Sequence, residues 1–460
     1  MKKRNLLLRF VLIVFAVVVL SGTVFAQADR SLIFMDLVPQ RNQVNPAFVP
    51  DYQLYAGIPF LSSVKVGFEN TIHYDDIFIK RGDSLVLDRD HILNSISDES
   101  RVNINSGEEY FAFGMRHGEN YFHFRIADVG QSQVMIKKDM LRFLLYGNGS
   151  SEFLGKNVNI GGSAVNLSYY REYALGYARN VIPGLTAGVT LKYLQGIANF
   201  SSQRTNFSLH TSEEDFTITA TSDVNINMSV PGIGSDEVKA GDFLPNIRNS
   251  GFAIDLGATY QVDPKINVWA SLLNLGSIGW KENLRNYQTT DPDKTVVFEG
   301  FDINDYFVDN SLDSEHLDDV LDSIADEFGI AEKAEKYRTR LPAKLNLGAG
   351  YAFTDDDLMN VLVRTQFFQG YSQTTFSVAY TRMLGKQAQI MISNTFYKSS
   401  VLNPGLGVAG NIGPVQLYLM AENFIAPLML NRTNVFVFRF GVNLAFAKKT
   451  TTEKLPTPVD

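Results

Sequence analysis

Cysteine is absent from the 460-residue chain, so no disulfide framework, thiolate metal site, iron–sulfur site or thiol nucleophile is available to it. Tryptophan is nearly absent, with two residues, and the six histidines are scattered, none at a metal-ligand spacing from another. Positive charge is also short. The formal charge is −8, and it becomes −12 once the four basic residues Lys2, Lys3, Arg4 and Arg9 of an N-terminal leader are removed. So acidic a chain gains nothing from counterion release on a phosphate backbone, and no basic, aromatic-interleaved patch occurs, which excludes nucleic acid as a partner class. No G-x-S-x-G elbow, Walker loop or dinucleotide fingerprint is present. Asp355-Asp356-Asp357 lacks the spacing of a calcium loop. The sequence therefore assigns no catalytic residue, no metal site and no cofactor. After residue 26 no run of 18 apolar residues occurs, so a membrane could be crossed only by strands.

What is present begins with a leader. Four basic residues up to Arg9, an unbroken apolar run from Phe10 to Leu20 and the small-residue site Val24-Phe25-Ala26 read as a secretory signal peptide over residues 1–26. Beyond it the chain is dominated by two-residue alternation. Phe252, Ile254, Leu256, Ala258 and Tyr260 share one face of a segment whose other face holds Gly251, Ala253, Asp255, Gly257 and Thr259. Fourteen such strands are expected, near residues 62–72, 108–116, 120–128, 167–179, 185–198, 250–261, 265–275, 344–353, 359–369, 373–383, 386–397, 404–411, 415–422 and 433–446.

Alternation alone also suits a soluble sandwich; the connections decide. Tight turns such as Arg116 to Glu119, Val262-Asp263-Pro264 and Ile412-Gly413-Pro414 alternate through the first eight strands with long connections over 73–107, 129–166, 199–249 and 276–343. Short turns on one side and long loops on the other are the build of an outer-membrane barrel, and an even strand number puts both barrel ends on the short-turn, periplasmic side. The fold expected is all-β: a transmembrane antiparallel barrel of about fourteen strands, with helical pieces in its extracellular loops. An acidic amphipathic helix is expected within Asp305 to Lys336, with Leu317, Val320, Leu321, Ile324 and Phe328 on one face. Such a helix could form a lid over the barrel mouth or hold divalent cations near lipopolysaccharide; more often it packs its Leu stripe on the barrel rim with its carboxylates solvated. Shorter helices are expected in Asp83 to Ile96 and Lys137 to Tyr146. The domain reading is a signal peptide at 1–26, an N-terminal plug-like segment at 27–60, the barrel at 61–446 and a polar periplasmic tail at 447–460.

Phe436, Phe438, Phe440, Val442, Leu444 and Phe446 form one apolar face of the last strand, opposite Arg439, Gly441 and Asn443. Arg439-x-Gly441-x-x-Leu444-x-Phe446 resembles the C-terminal signal of bacterial outer-membrane barrels. That resemblance implies that Gly441, Leu444 and Phe446 are read by the barrel insertion machinery. Near the other end, Asn45-Pro46-Ala47 resembles the motif in the N-terminal hatch of the long-chain fatty-acid transporter family, fourteen-stranded barrels that carry hydrophobic compounds, and implies a gating role for Asn45, Pro46 and Ala47. A wider likeness rests on Pro39-Gln40-x-Asn42-x-x-Asn45-Pro46-Ala47-Phe48-x-Pro50, Gly57-Ile58-Pro59 and Phe111-Ala112-Phe113-Gly114. Through these residues the chain is similar to outer-membrane barrels of Bacteroidota-type bacteria that are grouped as a domain of unknown function. Other barrels with an early Asn-Pro-Ala belong to secretion and gliding assemblies.

Alternation places Arg125, Lys192, Asp255, Arg364 and Arg439 on non-lipid faces, with Tyr121, His123 and Gln366. Such residues line a permeation path or, more often, form a hydrogen-bonded network that keeps a lumen polar; a one-residue register error would turn them outward. Two functions stay open. The first is a non-enzymatic outer-membrane channel for passive uptake of a small hydrophobic or amphipathic compound. The second is an assembly barrel that binds another envelope protein. Lipid and lipopolysaccharide are expected neighbours in either case. An apolar pocket reaching the outside favours the first, and a lumen filled by side chains favours the second.

Overall fold

In the computed structural model, residues 29–232, 247–298, 325–398, 400–426 and 435–448 are described, with 307–308 and 311–312. They form a closed antiparallel barrel of fourteen strands. β1 is built from Tyr52–Gly57 and Val64–Asn70. β2 (Glu99–His117), β3 (Asn120–Lys137), β4 (Ala164–Ile182) and β5 (Leu185–Thr211) follow. β6 joins Ile218–Ser229 to Ser250–Asp263, and β7 continues from Ile266–Trp280 into Leu284–Thr289. β8 is assembled from Ile330–Lys333, Tyr337–Arg340 and Ala343–Ala352. The last six are β9 (Asp357–Phe367), β10 (Ser372–Leu384), β11 (Ala388–Phe396), β12 (Pro404–Ile412), β13 (Val415–Glu422) and β14 (Val435–Lys448). Each pairs with its neighbour, and both halves of β1 pair with β14, from Tyr52↔Lys448 to Glu69↔Val435. Closure leaves no open edge, which lipid would penalise by several kcal/mol per unpaired backbone group.

The alternation sorts the faces. Phe252, Leu256, Leu347, Val361, Phe376, Ile392, Leu417 and Leu419 are exposed on the outside, while Asp255, Asn346, Asn360, Ser377, Ser393 and Gln416 are buried within. An apolar outer band around a polar interior is the pattern a lipid-embedded barrel requires. Among the described residues no helix is long and apolar enough to cross a membrane.

The strands differ from expectation mainly in length. The wall starts at Tyr52 rather than near residue 62, so the end of the plug-like segment assigned to 27–60 is wall. β1 is interrupted at 58–63, where Ser62 folds inward. Gly441 of β14 makes this possible, because a Cβ there would lie 2.1 Å from the Ser62 carbonyl. Several connections assigned to loops are also strand. β2 begins at Glu99, β3 runs to Lys137, β5 runs to Thr211, and Ile218–Ser229 and Leu284–Thr289 stand above the rim as extensions of β6 and β7. The polar alternation of these extensions reads as loop, although their ladders are continuous. The barrel is consequently tall along β2–β8 and short along β9–β14.

The short helix Tyr74–Ile77 and two longer loop helices sit on the long-connection side. α1 (Arg89–Ser95) and α2 (Lys138–Tyr146) pack through Ile92, Leu93, Ile96, Leu141 and Leu145 into a small cap. Within the expected helix of Asp83 to Ile96, Ser84–Leu87 is instead half of a hairpin with Phe78–Arg81. Within Asp305 to Lys336, Ile330–Lys333 is strand because it pairs with β7; Leu317, Val320, Leu321 and Ile324 lie outside the described residues. So do residues 1–26 and 449–460.

Candidate functional site

A fourteen-stranded barrel is too wide for its wall side chains alone to fill. Here residues 29–49 fill it. From the short-turn rim at Tyr52 the chain lies back in the lumen as far as Arg30. Its side chain reaches Glu69 (2.6 Å) and Glu422 (3.3 Å), at the far ends of β1 and β13, under the ring of Tyr397. The barrel ends lie on one side as expected, but the chain preceding β1 returns toward the opposite rim.

The plug is a small folded unit. Pro39–Gln43 is a 3₁₀ turn, and the Arg41 side chain ties the segment to itself by donating to the Ile33 carbonyl (2.7 Å), pairing with Asp36 and lying 3.9 Å over the Phe48 ring. Its two sides meet different surfaces. Leu32, Ile33, Phe34, Met35, Val38 and Val44 pack on Trp269, Leu362, Ala379, Met391, Ala409 and Met420, which face inward from β7 and β9–β13. The polar side meets β1, β2 and β14. There the Gln40 amide donates to Asn443 (2.8 Å), Gln43 donates to Glu109 (2.7 Å), and Arg439 donates to Gln43 (2.6 Å) and Ser63 (2.9 Å).

Asn45-Pro46-Ala47 is seated on β5–β7. The Asn45 side-chain amide donates to the carbonyls of Ala258 and Ala270, each at 3.2 Å, and its oxygen accepts the Ala47 N–H at 2.9 Å. Two wall glycines admit this turn. A Cβ on Gly188 would lie 2.4 Å from the Pro46 carbonyl group, and one on Gly257 would lie 2.0 Å from the Asn45 side-chain oxygen.

All five lumen candidates point inward and are largely buried. Arg125, Glu172, Lys192 and Asp255 form one chain of alternating charge across β3–β6: Arg125 pairs with Glu172, and Lys192 lies 3.5 Å from Glu172 and 2.7 Å from Asp255. Two cations and two anions balance, and Asn274 supplies further bonds to Lys192 (2.7 Å) and Asp255 (2.6 Å). Such groups persist out of water only when fully partnered. Arg364 stands apart on β9, donating to Asn346 (2.6 Å), which in turn donates to the Val44 carbonyl of the plug. The structure thus divides the five into a wall network and two plug-facing arginines. Tyr121, His123 and Gln366 also face inward and are buried. Leu444 and Phe446 face outward on β14, and Gly441 faces inward against Ser62.

Arg30, Glu109 and the seating glycine Gly188 are not among the sequence-predicted site residues; Gln40 stands there only within the Pro39-Gln40 motif and Gly257 only on a strand face. The glycines lie on inward faces that alternation identifies, whereas Glu109 shares the parity of the outward Phe111 and faces inward only because a bulge at 109–111 shifts the register; the partners of all of them come from the plug and become visible only in three dimensions. Nearer the long-connection rim, above the charge chain, Tyr170, Leu194, Ile278, Trp280 and Leu341 form an apolar layer. Beyond that layer lies a cleft with amide and hydroxyl lining. On the short-turn side a cleft of about 340 Å³ lies between Asp36 and Asp51 and the ends of β6–β11.

Comparison with known proteins gives one sequence family. The family of unknown function DUF5723 matches residues 46–422. No curated protein matches. Among solved structures, the toluene transporter TodX of P. putida is similar at 8% identity and a TM-score of 0.39, with 92% of this chain and 93% of that chain covered. The CymD monoaromatic hydrocarbon channel is similar at 9% identity and a TM-score of 0.39, covering 90% and 94%. A Pseudomonas aeruginosa FadL homologue is similar at 10% identity and a TM-score of 0.37, covering 87% and 92%.

Proposed function

The chain belongs to the DUF5723 family of unknown function, and from that premise we propose that it is an outer-membrane barrel for passive uptake of a small hydrophobic or amphipathic compound, closed in this conformation by residues 29–49. The observation that carries the reading is the surface beneath the plug. Trp269, Leu362, Ala379, Met391, Ala409 and Met420 give the lumen an apolar wall, which a water-filled polar pore would not need. Displacing the plug exposes this wall opposite the polar wall of β1, β2 and β14, an amphipathic path for a molecule of the same character. Among the described residues the plug joins the wall covalently through Pro50 and Asp51 alone, so it can shift without opening a strand ladder. Arg125, Lys192, Asp255, Arg364 and Arg439 line or hold this path, and Asn45, Pro46 and Ala47 seat its gate. The reading assigns no catalytic residue.

On this reading the long connections face outward and the short turns face the periplasm, the leader at 1–26 directs export, and the insertion machinery reads β14 through Gly441, Leu444 and Phe446. Lipid and lipopolysaccharide surround the apolar band.

A second reading, an assembly barrel that binds another envelope protein, is favoured by the filled lumen and by the buried pairing of Arg30 with Glu69 and Glu422, which lock the plug. One comparison separates the two. The full-length protein and a variant lacking Gln27 to Pro50 are extracted gently from their own membrane, analysed by native mass spectrometry and reconstituted for conductance. A discrete apolar ligand whose occupancy changes in the variant, with conductance appearing on deletion, is expected. A stoichiometric protein partner with no such ligand, or a deletion variant that stays closed, would overturn uptake in favour of assembly.

A further inference from the structure

Arg30 ends beside two carboxylates that it does not fully serve. Its guanidinium reaches Glu69 Oε1 at 2.6 Å and Glu422 Oε2 at 3.3 Å, and the other Glu422 oxygen accepts the Ser31 N–H at 2.9 Å. Among the described residues the second Glu69 oxygen accepts no hydrogen bond and the Tyr397 hydroxyl makes none, although Glu69 is only 4% and Tyr397 7% exposed. These side chains converge. Glu69 and Glu422 are the ladder partners of Val435 and Val437, on which Tyr397 packs, and the Tyr397 ring lies 4.8 Å from the Arg30 guanidinium carbon. Arg364 on β9 acts on Glu422 through its charge without bonding the open Glu69 oxygen.

A buried carboxylate oxygen left without a donor is costly, and a second carboxylate alongside raises the cost. The partner that fits is a compact cation with more than one donor, placed between Glu69 and Tyr397. The chain itself supplies such a group. Removal of the leader after Ala26 turns the Gln27 nitrogen, three residues ahead of Arg30, into an α-ammonium with three N–H donors. Gln27 lies outside the described residues, but three residues extend to about 10 Å, enough to reach a carboxylate that the Arg30 side chain already touches.

We infer that the α-ammonium of the mature chain docks on the open oxygen of Glu69, beside the Tyr397 hydroxyl, and latches the plug. The inference rests on the leader reading and holds equally for an uptake channel or an assembly barrel. Hydrolysis of the Ala26–Gln27 bond by one water yields a carboxylate on the leader and an ammonium on Gln27, the proton of the acid passing to the amine. Before that step the Gln27 nitrogen is a neutral amide with a single donor, and Glu69 stays short of a cation. Leader removal therefore completes the seat of the plug as well as releasing the chain.

The test uses the protein purified folded from its own membrane, with intact mass giving the processed terminus. Acetylation of the Gln27 amine by an N-hydroxysuccinimide ester is followed on the N-terminal peptide by mass spectrometry. The amine is expected to react at least tenfold more slowly in the folded protein than in the denatured one, and Glu69→Gln to remove that protection. A second variant, with Gly-Ser-Gly inserted between Ala26 and Gln27, keeps every described residue and replaces the ammonium at Gln27 by a neutral amide. In a Trp280→Phe background it is expected to raise acrylamide quenching of Trp269, which is 4% exposed beneath the plug. Heat-modifiable mobility shows that each variant is folded. A mature chain that does not begin at Gln27 would overturn the leader reading together with the inference. A chain that begins there with Gln27 cyclised, an amine as reactive folded as denatured, full protection in folded Glu69→Gln, or unchanged quenching in the extended variant would overturn the inference alone.

Discussion

Gly188→Ala is the sharpest probe of the plug. The new methyl carbon would lie 2.4 Å from the carbonyl carbon and oxygen of Pro46 and 2.6 Å from the Ala47 nitrogen. Non-bonded carbons prefer about 3.5 Å or more, so the Asn45-Pro46-Ala47 turn must retreat by about 1 Å. The two bonds from Asn45, at 3.2 Å each, then stretch to about 4 Å, beyond hydrogen-bonding range. Overpacking costs about 1–3 kcal/mol and the lost bonds about 1 kcal/mol. A loss of about 2–4 kcal/mol raises the unseated population by about 30-fold to several hundred-fold. The strand itself is not weakened, since Ala is the better strand residue of the two.

Trp269 reports the outcome. It is 4% exposed, with the Phe48 ring edge-on at 5.7 Å, and in a Trp280→Phe background it is the single tryptophan. The Gly188→Ala protein is expected to show increased acrylamide quenching of Trp269 and more frequent conductance events in planar bilayers. A folded variant with unchanged quenching and no added conductance would mean that the wall yields rather than the plug, and the seat described for Asn45-Pro46-Ala47 would be refuted.

Three further outcomes are expected. Lys192→Met leaves Asp255 in the lumen without a cation, while Glu172 keeps Arg125, and should lower the unfolding free energy in lipid vesicles by about 3–5 kcal/mol; a change below about 1 kcal/mol would show that water already screens the charge chain. Leu419→Arg places a cation on the lipid face of β13 and should cost about 2–4 kcal/mol in guanidinium unfolding from a bilayer, whereas an unchanged midpoint would contradict the outward assignment. Asp88 caps α1 by accepting the His91 N–H at 3.0 Å, and that backbone bond, with Arg81 nearby, holds its carboxyl below the usual range. A carboxyl so depressed stabilises the helix fully above the ordinary carboxylate range and loses that contribution as pH falls through its own lower value. Protection factors for amide exchange in Arg89–Ser95, taken against the intrinsic rate at each pH, should therefore stay constant from pH 7 to 5 and fall in more acidic solution, while Asp88→Ala should remove the transition; an unchanged profile would count against the cap.

Strand number, strand polarity and side-chain facing between bulges were written in the sequence, because a residue's face in an uninterrupted strand depends on parity and the lipid demands an apolar outside; where a bulge shifts the register, as at Glu109 and opposite Tyr169, parity fails. Phe252 to Tyr260, Leu345 to Phe353 and Phe436 to Phe446 declare their faces without reference to any other part of the chain, and Arg125, Lys192, Asp255, Arg364 and Arg439 could be placed inside on that ground alone. The strand extensions above the rim were not legible, since Ile218–Ser229 and Leu284–Thr289 alternate among polar residues and are held by ladder bonds rather than by an apolar face. Nor could parity say which lumen residues meet. The bond from Gln40 to Asn443, the pairing of Arg30 with Glu422, the fit of Pro46 on Gly188 and the alignment of Asn166 with Ser201 depend on barrel closure, strand register and the path of the plug. Those are set by pairings between residues tens to hundreds of positions apart, so the sequence determined what each residue offers and the tertiary structure decided what it touches.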